Sequence, residues 1–190
     1  MRNEKELLID CLDRLNRSSI AYMLTGSMAS NYWGIPRTTH DLDFVLVMRP
    51  DDIEGFTDAF RDGFFLQPES VRQAFKPPYQ FNAIDEFSAL KVDFWLLGDN
   101  PFENHAFARR LKATLFDSSA WIMTAEDVIL HKLYWNRLTP SERQLGDAAG
   151  VFAVQGLMLD VDYLRQWAPT LDVQSDLDAL IEGRIRPKTT

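Results

Sequence analysis

The chain has 190 residues, enough for one domain or a core with a small appendage, and is 46% hydrophobic, 12% aromatic and 25% charged, a composition able to build a real core. A formal net charge of −8 argues against a broad basic surface for duplex DNA or RNA, though it leaves room for a local basic pocket. No run approaches the roughly 18 apolar residues of a membrane span, and Cys11 is the only cysteine, so no intrachain disulfide can form. The polar, acid-containing start Met1-Arg2-Asn3-Glu4-Lys5-Glu6 does not read as a secretory signal, and the expected setting is a reducing cytoplasm.

Leu7, Leu8, Cys11, Leu12 and Leu15 recur at helical spacing over 4–17, with charges between them. Residues 20–25 read as a first buried strand. A short helix follows from Ser27 to about Trp33, closed by Gly34, Ile35 and Pro36. A second strand runs from Asp41 to Met48. Pro50 and the acids Asp51, Asp52 and Glu54 open a helix that buries Ile53, Phe56 and Phe60 and ends near Gly63, its acids complementing the helix dipole. The stretch 64–79, with Lys76-Pro77-Pro78, reads as irregular. Strands are expected at Phe81–Ile84 and Leu90–Leu97, a helix at Asn104–Lys112, and short strands at Ala113–Phe116 and Ala120–Met123. Thr124 with Asp127 predicts a capping box for a helix to about Arg137. Beyond Pro140 the chain reads as mostly helical, with a frayed tail at Arg186–Thr190. This order predicts a mixed α/β or α+β core over 1–123 and a C-terminal helical subdomain over 124–190.

The chemistry concentrates near the second strand. Asp41 follows Ser27 by fourteen residues, and alternate side chains of a strand share a face, so Asp41 and Asp43 point the same way with Leu42 opposite. Paired carboxylates repel each other unless a positive charge sits between them. Mg²⁺ suits them, since it takes hard oxygen ligands and leaves room for water and phosphates. Phe44-Val45-Leu46-Val47-Met48 is apolar on both faces, which predicts a central strand with the acids at its mouth. Arg37, Thr38, Thr39 and His40 lie just before the pair. Arg37 offers either a fork to phosphate or an ion pair with Asp41. Asp93 interrupts the apolar run Leu90–Leu97 and must be metal-bound, hydrogen-bonded or paired with a nearby Lys or Arg. Gly26-Ser27 either cradles phosphate at a helix start or simply caps that helix. Trp95, Trp121, Trp135 and Trp167 are assigned to the core, and Cys11 to a buried apolar stripe.

Gly26-Ser27, Arg37-Thr38-Thr39-His40-Asp41-Leu42-Asp43 and the later Asp93 together resemble the nucleotidyltransferase superfamily, the DNA polymerase β-like fold. More narrowly, the chain is similar to bacterial nucleotidyltransferase-like proteins related to abortive-infection toxins, whose helical half carries a Lys in an apolar helix and an acid further on. Glu126-Asp127-Val128-Ile129-Leu130-His131-Lys132-Leu133 matches the first feature. Arg143-Gln144-Leu145-Gly146-Asp147 matches the second in part, with Gly146 where a charged residue is expected. The resemblance spans about residues 18–165.

It implies a mixed sheet flanked by helices and an Mg²⁺-dependent transfer of a nucleoside monophosphate from NTP to an acceptor that is a small molecule, a protein or tRNA. Asp41, Asp43 and Asp93 would hold two Mg²⁺ ions, with Asp93 also accepting the acceptor's proton. Gly26, Ser27, Arg37, Thr39 and Lys132 would bind the nucleotide. The alternative is a catalytically idle nucleotide-binding module, such as one half of a toxin–antitoxin pair acting on a protein partner.

Overall fold

The computed structural model describes residues 2–187. Of the tail expected to fray, Arg186 and Pro187 are irregular, and Lys188, Thr189 and Thr190 lie outside the described residues. The chain divides into two compact units. One holds the residues up to Thr25 together with His40–Ile122. The other holds Gly26–Thr39 and the chain from Met123 onward.

The first unit carries a seven-stranded mixed sheet. Its strands are β1 (Ala21–Leu24), β2 (Leu42–Val47), β3 (Phe64–Phe65), β4 (Gln80–Asp85), β5 (Lys91–Leu96), β6 (Leu111–Leu115) and β7 (Ser118–Ile122). Their order is β3-β4-β5-β2-β1-β7-β6. β2 and β5 are parallel, as are β1 and β7, and the other neighbours are antiparallel. The helices of this unit are α1 (Glu4–Arg17), α3 (Ile53–Ala59), α4 (Pro68–Gln73) and α5 (Pro101–Arg109). α1 buries the five apolar residues whose spacing predicts it. It starts with a capping box in which Asn3 accepts from the Glu6 amide at 2.9 Å and Glu6 accepts from the Asn3 amide at 2.9 Å.

Strand alternation sends Leu42, Phe44 and Leu46 to one face of β2, beside Val92, Phe94 and Leu96 of β5 in register. On that face Phe94 meets Phe44, Phe56, Phe60 and Phe81 with ring centroids 5.2–5.8 Å apart. Each buried phenylalanine is worth about 2 kcal/mol by removal from water, and each ring pair about 1 kcal/mol more. This aromatic core leaves the opposite face of β2 and β5 to Asp43 and Asp93.

The second unit is helical: α2 (Gly26–Trp33), α6 (Ala125–Leu138), α7 (Glu142–Gln155), α8 (Val161–Leu171) and α9 (Gln174–Ile181). Thr124 caps α6, accepting from the Asp127 amide at 3.3 Å. The Asp127 carboxylate differs from the expected box. It takes the Thr124 hydroxyl at 2.7 Å and the Tyr163 hydroxyl at 2.5 Å, both inside the fold.

Three expectations are corrected. Residues 64–79 are not wholly irregular, because Pro68 at the first helical position and Glu69 in the first turn start α4, and Phe64–Phe65 pair with β4. α5 begins earlier than Asn104, since Asn100 caps it by accepting from the Phe102 and Glu103 amides, and Leu111 and Lys112 belong to β6. Trp95, Trp121, Trp135 and Trp167 are all partly exposed, Trp121 by 38%. Arg110 covers the Trp121 ring at 5.0 Å, a contact an exposed indole accepts as readily as burial. Among the described residues no helix is long and apolar enough to cross a membrane.

Candidate functional site

The parallel register sets Asp43 directly beside Asp93, so the two carboxylates stand side by side on neighbouring strands. Asp41, just before β2, is exposed. The backbone N–H of Thr25 donates to the Asp43 carbonyl at 3.0 Å, carrying the β1–β2 ladder one step past β1, up to the glycine that follows. Gly26 has φ +62°, a left-handed conformation that glycine adopts without the strain of a Cβ, and it opens α2.

The Asp93 side chain is only 10% exposed. Lys91, two residues earlier and therefore on the same face, places Nζ 2.8 Å from Asp93 Oδ2. Asp93 Oδ1 is buried with no hydrogen-bond partner. A buried carboxylate oxygen without a donor is costly, so this atom fits a ligand's role. The hydrogen bond that it donates to Asp93 pushes the Lys91 ammonium above the usual lysine range. Burial opposes that rise, and the charges of Asp93, Asp41 and Asp43 add to it. Among the described residues, no three His, Cys, Asp or Glu side chains stand arranged to hold a metal ion. The Asp43–Asp93 pair and the orphaned oxygen nonetheless suit a divalent cation in chemistry, with an ammonium already on one oxygen.

A second cluster lies within the helical unit. Lys132 of α6 places Nζ 2.9 Å from Asp147 Oδ2 of α7, and both side chains are 7% exposed. Arg37 forks onto the same carboxylate, with Nε donating to Oδ1 at 2.7 Å and Nη2 to Oδ2 at 2.8 Å. The same Nη2 donates to Ser27 Oγ at 2.8 Å. Asn31 of α2 steadies Arg37, donating to its carbonyl at 2.7 Å and accepting from its amide at 3.1 Å. Burial alone would push the Asp147 carboxyl up. The hydrogen bond from Arg37 and the charge and hydrogen bond of Lys132 outweigh it and hold the group below the usual carboxylate range.

The structure thus sets Asp43 beside Asp93, and the Lys or Arg partner left open for Asp93 is Lys91. Ser27, Arg37 and Lys132 also meet, around Asp147, which is not among the expected site residues. Arg37 forks onto Asp147. Thr39 lies half-buried in the irregular stretch after α2. His40 is exposed and its Nδ1 is 2.5 Å from Glu4 Oε1. Lys91 was legible, since a residue two before a strand acid shares its face. Cys11 is fully buried, and burial pushes its thiol well above the usual range, so it is no nucleophile. A hollow of about 480 Å³ over α1 and α3, lined by Arg14, Arg17, Ser18, Gly55, Ala59 and Asp62, contains none of these residues.

No protein-family model matches the sequence, and a comparison with curated proteins finds no relative. Solved structures do match. An antigenic nucleotidyltransferase-like protein from Paracoccidioides brasiliensis superposes with TM-score 0.55 at 12% identity, over 98% of this chain and 94% of that one. The crystal structure of ANT(2'')-Ia, in complex with adenylyl-2''-tobramycin, superposes with TM-score 0.59 at 11% identity, over 89% of this chain and 97% of that one. A solution structure of the same antibiotic-resistance factor gives TM-score 0.55 at 14% identity, over 94% and 95%. At these identities the shared property is the fold, and this chain has the nucleotidyltransferase fold.

Proposed function

We propose that this chain is a divalent-metal-dependent nucleotidyltransferase that moves a nucleoside monophosphate from NTP to an acceptor hydroxyl. One observation carries the reading: on a nucleotidyltransferase fold, two aspartates pair in parallel register, and one keeps a buried oxygen without a donor. Asp43 and Asp93 would hold the ion, with Asp41 joining them only once it is bound, and Mg²⁺ suits them by its preference for carboxylate oxygens. When bound, it would neutralise the phosphate charge and that building on the attacking and leaving oxygens.

The chain's own residues do the rest. The acceptor oxygen forms a bond to the α-phosphorus, the α–β phosphoanhydride bond breaks, and pyrophosphate leaves. Asp93 takes the hydroxyl proton. Gly26, Ser27 and Thr39 are assigned to the polyphosphate through amides and hydroxyls, and Arg37 and Lys132 through charge. Positioning and charge neutralisation then supply most of the rate. ANT(2'')-Ia, by its adenylyl-tobramycin complex, supports a small molecule among the possible acceptors. The setting proposed is the cytoplasm.

A second reading, a nucleotide-binding module without turnover and with a protein partner as in a toxin–antitoxin pair, is favoured by the ion pairs already made by Lys91 and Lys132. Asp43→Asn separates the two. It keeps the side chain's shape but removes a charge, so label transfer from each α-labelled NTP into a cell lysate should fall at least about a hundredfold, with the melting temperature retained. Nucleotide binding without labelling by the unaltered protein would favour the idle module. Equal labelling by both proteins would end the metal assignment.

A further inference from the structure

The acid face of β2 and β5 holds a cation of the chain's own. Lys91 Nζ lies 2.8 Å from Asp93 Oδ2, and the charges of Asp41 and Asp43 act on the same ammonium. Asp43 stands beside Asp93 in parallel register, and Asp93 Oδ1 stays buried with no hydrogen-bond partner. We propose that Lys91 is the resident counter-cation of the Asp43–Asp93 pair, standing in for a divalent ion and leaving Asp93 when that ion binds. This inference rests on the metal-binding half of the proposed function.

Three features fit that role. Lys91 and Asp93 sit two apart on one strand, so the contact forms as soon as β5 forms. The partners are unequally buried: the Lys91 side chain is 49% exposed and that of Asp93 only 10%. The lysine head can thus withdraw into water on its flexible stem at little cost, while the carboxylate stays behind. Finally, an ammonium brings one charge and satisfies one oxygen, whereas a divalent ion brings two and can reach both. The exchange therefore favours the metal without closing the site in its absence. A lysine here keeps repelling acids together before substrate arrives, at the expense of metal affinity.

The test uses the full chain, stripped with EDTA and without nucleotide. Mn²⁺ binding is measured by loss of the free-ion electron paramagnetic resonance signal, and thermal melting is followed with and without the ion. Lys91→Gln should bind Mn²⁺ about three to ten times more tightly than the unaltered protein, melt lower in EDTA, and gain more melting temperature from saturating Mn²⁺. Lys91→Arg, which keeps the charge, should bind nearly as the unaltered protein does. Asp93→Asn should remove the Lys91-sensitive binding. Equal or weaker binding by Lys91→Gln, with Mn²⁺ still bound by the unaltered protein, would overturn the role of Lys91 alone. No binding by either would overturn the metal reading as well. A Lys91→Gln protein that folds only with Mn²⁺ carries the same conclusion, and one that folds in neither condition overturns it.

Discussion

Asp147 is the residue on which the helical unit's charges converge, and its removal is a sharp test of that cluster. Asp147→Asn keeps the shape but takes the anion from Arg37 and from the buried Lys132 ammonium. Breaking a buried pair from one side is expensive, so unfolding stability at pH 7 should fall by about 3 kcal/mol. The pH dependence has a definite sign. Folding lowers this carboxyl's pKa, so its contribution is complete above the unfolded value of about 4 and fades as pH falls through the lowered one. Urea midpoints of the two proteins should therefore differ at pH 7 and pH 5 and converge below about pH 4. A gap that stayed constant to low pH would show that the carboxylate's charge is not what holds the cluster. How much of this was legible varies by residue. Alternation puts Asp41 and Asp43 on one face of their strand, but the parallel register that sets Asp43 beside Asp93 is a property of the folded sheet. Lys91 follows from the same alternation and needs only to be read outward from Asp93. Asp147 lies 110 residues from Arg37, and no local periodicity links the two. The motif comparison brings it into view only as an imperfect match.

At the level of elements, the C-terminal end of α2 approaches α7 so closely that only glycine fits at the contact. A Cβ at Gly34 would lie 2.7 Å from the Val151 amide nitrogen, 2.9 Å from the Gly150 carbonyl carbon and 2.9 Å from the Ser30 oxygen. The first two are backbone atoms of α7 and the third of α2 itself, so relief requires the helices to separate and the end of α2 to shift. Gly34→Ala should cost about 2–3 kcal/mol. Nucleotide affinity should fall with it, because α2 carries Ser27 and the Asn31 that steadies Arg37. Gly55→Ala in α3 is the control: nothing lies within 4 Å of its Cβ, and a helical glycine costs about 0.5–1 kcal/mol relative to alanine, so this variant should melt higher. If both substitutions shifted the melting temperature in the same direction, the close approach would not be the cause. The Gly34–Ile35–Pro36 stop marks the end of α2 from sequence, and its partner helix does not show there. The same contrast runs through the elements. α1, β2, β5 and α6 carry strong periodicity or caps and sit within a residue or two of their expected bounds. β3, with two residues, owes its existence to β4, and α4, with six, has too few turns to develop a stripe.

For the molecule as a whole, the deciding quantity is its net charge of −8. At physiological ionic strength the field of an acidic protein reaches about 8 Å, far enough to disfavour approach by a polyanion while sparing a small cationic or neutral acceptor. NTP escapes much of this penalty when it arrives with a divalent ion. The expected preference is therefore for a small molecule or a protein over tRNA, and salt distinguishes the cases by sign. If tRNA is labelled at all against a repulsive surface, added salt screens the repulsion, and labelling should rise or hold between about 50 and 200 mM. A protein that grips phosphates through lysine and arginine behaves in the opposite way, losing orders of magnitude in affinity over that range as counterions are retained. The measurement is label from α-labelled NTP on tRNA and on the small-molecule and protein fractions of a lysate at both ionic strengths. Dominant labelling of tRNA that collapses with salt would mean that a local basic surface governs acceptor choice, and net charge would then be the wrong scale at which to argue it.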